Sequence, residues 1–139
     1  MIEFDNQSEL TLSLELVQKI ASSLSSKDIE LLVVDEATMR DINKQTRNID
    51  KSTDVLSFPL EDVPMSPLGS IVISSHHITT KADELKHSYN DEFTLLFIHG
   101  ILHLLGYDHE VDEGQMRAKE EELIKLHNLP DSLIVRQSI

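Results

Sequence analysis

The stretch Phe97–His109 constrains this chain more than any other: Phe-Ile-His-Gly-Ile-Leu-His-Leu-Leu-Gly-Tyr-Asp-His. It sets imidazoles into an apolar run, and buried imidazoles need partners. His99 and His103 are four apart. In a helix that spacing puts both rings on one face, a turn apart, where they can share a metal ion. Gly106 can take the left-handed conformation that ends a helix and turns the chain back. Tyr107 and Asp108 then lead into His109, which the reversal can return to the face of the first two rings. Three neutral imidazoles suit a tetrahedral zinc site and leave one position open for water, as catalytic sites do. A His-x-x-x-His pair alone is more often surface or satisfied core. The third histidine, the glycine and the apolar flanks turn the reading to metal ligands. The spacing also equals that of the long zinc-peptidase motif, but Gly100 stands where such a peptidase carries its glutamate base.

The sequence has no cysteine, which excludes disulfides and thiolate sites. A transition metal would have to be held by His, Asp or Glu. The length of 139 residues suits one domain over 1–139, with a mobile tail expected over 131–139. No run reaches the roughly 18 apolar residues of a membrane span, and Met1–Asp5 has no basic region or signal core. A cytoplasmic location without a membrane partner is the expectation. The balance of 12 basic against 25 acidic residues gives a net charge of −13. Such a surface repels phosphates, so a nucleic-acid substrate requires a local basic patch. With no tryptophan, two tyrosines and four phenylalanines, an aromatic platform for stacking bases is not expected.

Met1–Phe4 reads as a short strand. Leu12, Leu16, Ile20 and Leu24 recur every four residues, which predicts a helix from Leu10 to Leu24, capped by Ser8 or Thr11. Ile29–Val34 is a buried strand. Asp35 or Thr38 opens a second helix through about Thr46, with Met39 and Ile42 inward. Arg40, Lys44, Arg47 and Lys51 are spaced four, three and four apart. They share one side if helical winding continues to Lys51. Asp41 and Asp50 are interleaved, so a solvated helix face fits this spacing as well as a phosphate-binding one. Strands are expected over Thr53–Leu60 and Ile71–Ile73, paired antiparallel. A polar helix follows over Ser75–His87, with His76 and His77 at its start as surface residues. Asn90 or Ser88 caps the next helix, and Phe93–Leu105 is apolar nearly all round, hence central and buried. Glu113–His127 is the last helix, with Met116, Leu123 and Ile124 packing, Glu120-Glu121-Glu122 outside, and His127 favoured by the helix dipole. Pro130 stops it. Such an order means α+β or α/β.

The run His99–His109 resembles the signature of the YbeY family, bacterial metal-dependent endoribonucleases of ribosomal RNA maturation. Arg47 with Ser52-Thr53-Asp54-Val55-Leu56-Ser57-Phe58-Pro59 resembles the family's second motif. Leu68-Gly69-Ser70-Ile71-Val72-Ile73-Ser74 resembles its third, with Ser70 where the family usually has Asp; Glu92 fits as well. The resemblance runs from about Val33 to Lys125. It implies an α+β domain with a small mixed, mostly parallel four-stranded sheet, packed helices and a metal site in a cleft. It implies a hydrolase, a single-strand-specific endoribonuclease of 16S rRNA 3′-end maturation, ribosome biogenesis and ribosome quality control. It implies one Zn2+ on His99, His103 and His109, with Ni2+ or another transition ion possible in recombinant protein. It also tips Arg47 from surface residue to catalytic residue. Expected partners are single-stranded ribosomal RNA and small-subunit ribosomal proteins, not DNA. Asp108 can orient a ligand histidine or cap the turn. Two rivals remain: a zinc peptidase or amidase drawing its base from Glu92 or Asp108, and a non-catalytic metal-binding ribosome-assembly factor.

Overall fold

The structure is a computed structural model; it describes residues 1–61, 63–107 and 114–129. Strand β1 spans Ile2–Asn6, β2 Ile29–Val34, β3 Val55–Pro59 and β4 Gly69–Ser74. They form one sheet in the order β1-β2-β4-β3. β1, β2 and β4 run parallel, and β3 pairs antiparallel with β4 at the edge. The mixed, mostly parallel sheet is thus the expected one, including the antiparallel pair. Helices α1 (Glu15–Leu24), α2 (Glu36–Arg47), α3 (Ser75–Leu85), α4 (Tyr89–Leu104) and α5 (Gln115–Leu126) complete the described elements. No helix among the described residues is long and apolar enough to cross a membrane.

Alternation along the strands divides the core in two. Leu31, Val33, Ile71 and Ile73 join Val17 and Ile20 of α1, Ile78 of α3, and α4 and α5 in the larger cluster. On the other face Val34, Leu56 and Val72 pack with Met39 of α2. At the centre lies α4, in which Phe93, Phe97, Ile98, Ile101 and Leu102 are fully buried. Each such side chain contributes about 1.5–3 kcal/mol by leaving water. Ser88 caps α4, its side chain accepting from the Asp91 amide at 3.0 Å.

The first helix begins later than its leucine spacing predicts. Leu10 and Leu12 belong to an arm outside any helix or strand, and from Leu10 to Leu16 the residues alternate between half-buried and exposed. The series Leu10, Leu12, Leu14, Leu16 has a period of two as well as a partial period of four, and the period of two wins. Two local bonds and one long-range bond hold the arm. Ser8 N–H donates to Asn6 Oδ1 at 3.0 Å, Asn6 Nδ2 donates to the Leu10 carbonyl at 2.8 Å, and Ser13 N–H donates to Asn90 Oδ1 at 2.9 Å. Neither Ser8 nor Thr11 caps α1; its N-cap is Leu14, with no side-chain bond.

Candidate active site

The last turn of α4 closes as the glycine predicts. Gly106 has φ 103°, its N–H donates to the His103 carbonyl at 3.1 Å, and Tyr107 N–H donates to Leu102 at 3.0 Å. Paired bonds of this kind satisfy the final carbonyls and turn the chain back along the helix. His99 and His103 consequently face one side. Their Nε2 atoms are 3.3 Å apart, with ring centroids at 4.9 Å and planes at 75°. Two nitrogens on one tetrahedral zinc, each at about 2.0–2.1 Å, would be about 3.3–3.4 Å apart. The pair therefore already has the separation that one zinc-type ion requires. Among the described residues no third His, Cys, Asp or Glu completes a metal-binding group. His109 and Asp108 lie outside the described residues, as does the 131–139 tail.

Gly100, the residue after His99 on α4, faces the sheet. A Cβ built there would lie 2.8 Å from Ile71 Cγ2. Ser57 Oγ donates to the Gly100 carbonyl at 3.0 Å, drawing β3 against the helix. A glutamate at 100 would drive into the sheet rather than reach the imidazoles.

An open cleft of about 490 Å³ runs along the edge strand β3, lined by His99, His103, Arg47, Asp54, Ser57 and Tyr107 among others. Two far-apart segments that the sequence singles out, Arg47 and the histidines, thus share one concavity. Arg47 is the last residue of α2. Asn48 follows in the left-handed conformation at φ 58°, so the helix does not continue to Lys51. Of the four basic residues of that segment, Arg47 alone lines the cleft. Arg40 instead holds Asp50, Nε to Oδ1 at 2.8 Å. That bond keeps the Asp50 carboxyl below its ordinary range. Among the described residues the Arg47 side chain makes no ion pair or hydrogen bond, neither with Asp50 nor with Asp54.

Other singled-out residues lie elsewhere. Glu92 is fully buried in the first turn of α4 and does not line the cleft. Ser70 lines a smaller groove with Glu30 and Asp28, away from the histidines. His76 and His77 open α3; His76 is exposed, and His77 is half-buried with Nδ1 3.1 Å from Ser74 Oγ. Burial holds the His77 imidazole below its ordinary pKa. His127 follows α5, and there too burial, helped by Lys19, lowers the pKa.

One residue was missed. Glu120 is only 4% exposed, and its Oε1 lies 2.8 Å from His99 Nδ1. Its setting in an acidic triplet suggests a solvent face, and Glu122 does stay outside, 3.3 Å from Lys119. The readable signal is position: Met116, Glu120, Leu123 and Ile124 form the buried stripe of α5, with Glu120 four residues after Met116.

The family profile described as "Endoribonuclease YbeY" matches residues 2–128. The chain belongs to the endoribonuclease YbeY family. A protein of that name from Sulfurimonas denitrificans is 62% identical over 136 residues, covering 98% of both chains. One from Aliarcobacter butzleri is 56% identical, covering 99% of this chain and 100% of its own. One from Helicobacter pylori is 55% identical, covering 98% of each. The solution structure of TM1509 from Thermotoga maritima has the same fold, with a TM-score of 0.62 at 24% identity, over 99% of this chain and 92% of that one.

Proposed function

We propose that this member of the YbeY family is a metal-dependent endoribonuclease that cleaves single-stranded RNA in the β3 cleft. The observation that carries the reading is the meeting of an imidazole pair at ligand spacing with Arg47, in one open concavity. His99, His103 and His109 would hold one zinc-type ion. Such an ion, when bound, supplies water of lowered pKa and a Lewis acid for a phosphoryl oxygen. The protein's own part is binding and orientation. Cleavage of a phosphodiester gathers negative charge on the phosphoryl oxygens. Arg47 meets that charge with a planar fork of donors. Among the described residues no carboxylate pairs with it, which supports a fork available to phosphate. The cleft is open along β3, which suits a flexible single strand better than a rigid duplex. The biological substrate on this reading is ribosomal RNA, at the 16S 3′ end, in the bacterial cytoplasm, with small-subunit ribosomal proteins nearby.

Both rivals fit less well. A peptidase needs a base, and the position beside His99 is a glycine packed on Ile71, while Glu92 is buried off the cleft. A non-catalytic module has no use for a solvent-facing arginine beside the imidazoles. The test is a labelled single-stranded RNA and casein incubated in parallel, with and without chelator, for the wild type and His103→Ala. The expected result is RNA cleavage by the wild type alone, abolished by chelator, with casein intact. Casein cleavage, or RNA cleavage indifferent to both chelator and His103→Ala, would overturn the reading.

A further inference from the structure

Burying a carboxylate is costly, and a Leu or Met at position 120 would pack the α5 stripe without that cost. Glu120 nevertheless occupies the stripe between Met116 and Leu123, and its oxygen reaches His99 Nδ1 at 2.8 Å. The neighbouring glutamates do not share this role: Glu121 lies 3.9 Å from Arg117 and Glu122 3.3 Å from Lys119, both on the outside of α5. A carboxylate can only accept, so the shared proton sits on His99 Nδ1. The other nitrogen of that ring, Nε2, then carries no proton and keeps its lone pair for accepting or ligating. It is this atom that lies 3.3 Å from His103 Nε2.

We infer that Glu120 is a positioning residue: its buried carboxylate fixes the His99 tautomer and ring angle, so that the Nε2 lone pair is presented to the metal before any metal arrives. The inference rests on the metal reading of the histidine pair. It adds that α5 is part of the site, because the helix supplies the group that orients a ligand carried by α4. A freely rotating, unpartnered imidazole would divide itself between two tautomers and several ring angles. Only one combination can bind, so losing the carboxylate lowers affinity. Losses of an orienting partner of this kind typically run to about 10–100-fold in metal affinity.

The experiment uses the full chain at about pH 8, where imidazoles are neutral. Long-range proton–nitrogen NMR correlations of the metal-free protein report which His99 nitrogen carries the proton, and Co2+ titration followed by its visible absorption reports affinity. Wild type should show the proton on Nδ1. Glu120→Gln keeps an oxygen that can accept the same bond, so it should keep the tautomer and most of the affinity. Glu120→Ala should move proton population to Nε2 and weaken Co2+ binding by about 10–100-fold. Melting temperatures of the metal-free proteins separate orientation from folding, and the wild-type tautomer needs no variant at all. Wild-type His99 with its proton on Nε2, or Glu120→Ala binding Co2+ within about threefold of wild type with the tautomer unmoved, would overturn the inference. Failure of the wild type to bind Co2+ with the proton on Nδ1 would instead sink the metal reading and leave the Glu120–His99 bond standing.

Discussion

The α4 wall of the cleft is buried along most of its helix, whereas Arg47, on the other wall at the end of α2, is exposed. His99 and His103 rise from a helix that is seated at Gly100 on Ile71 and Ser57. Arg47 ends its helix at a left-handed Asn48, among residues whose charges pair with one another, Arg40 with Asp50. On the proposed function, the difference matches what each of the two walls would do. Metal ligands have to hold fixed distances before the ion arrives, so packing sets them. A phosphate-binding arginine has to follow a flexible strand, and a partnered, immobile guanidinium would first have to be pulled from its carboxylate.

The largest effect expected from breaking this contrast is at Arg47. Arg47→Ala should leave melting temperature and metal content unchanged yet lower RNA cleavage by about 10²–10³, the usual loss when a donor to developing charge is removed. Arg47→Lys should rescue it poorly, since an ammonium cannot supply paired donors. Single-turnover cleavage of a short single-stranded RNA at saturating enzyme measures the chemical step. A loss of under about threefold would show that the exposed wall has no part in that step.

The buried wall should respond in the opposite manner. Gly100→Ala places a methyl 2.8 Å from Ile71 Cγ2 and 3.3 Å from Ser57 Oγ. Overpacking of this kind costs about 1–3 kcal/mol, measured by urea unfolding of the metal-free protein. The helix can relieve the clash only by moving off the sheet and taking both imidazoles with it, so metal affinity should fall together with stability. An alanine variant as stable as wild type would mean that α4 is not seated by Gly100 as described.

These two walls were also unequally legible in the sequence. The α4 wall could be read because burial leaves a signature: apolar residues nearly all round from Phe93, histidines at helical spacing, and a glycine whose φ of 103° only a residue without Cβ adopts freely. The exposed wall gave only spacing. Arg40, Lys44, Arg47 and Lys51 fit one helical face only if winding continues past the expected end near Thr46, and a left-handed Asn48 removes Lys51 from that face. The family resemblance, rather than periodicity, picked out Arg47. Two misreadings have a common cause. Leu10–Leu14 satisfies two periods at once, and the bond from Ser13 N–H to Asn90 Oδ1, in the first turn of α4, ties it to a distant segment. Glu120 lies in a run of three glutamates, and only the position of α5 on α4 turns one of them inward. Both depend on contacts between distant segments, which a local pattern does not contain. His109 and Asp108 fall outside the described residues, so the third ligand stays a sequence-level expectation.

The smallest effects belong to the lysines that flank Arg47, and they test whether the exposed wall guides RNA or merely carries one arginine. Lys44 and Lys51 are exposed and do not line the cleft. They can act on RNA only through its backbone charge. Each phosphate contact with a single strand adds about 0.7 to the slope of log affinity against log salt. Lys44→Ala and Lys51→Ala should therefore each weaken binding modestly, and flatten that slope by up to about 0.7, without changing the cleavage rate at saturating enzyme. Arg40→Ala should do less than either, because Asp50 already balances its charge. RNA binding measured across a series of salt concentrations, with single-turnover cleavage beside it, separates the cases. If Lys44→Ala slows saturated cleavage as much as Arg47→Ala, the arginine has no privileged place on that wall, and the wall acts as diffuse charge instead of aiming one donor group at the reacting phosphate.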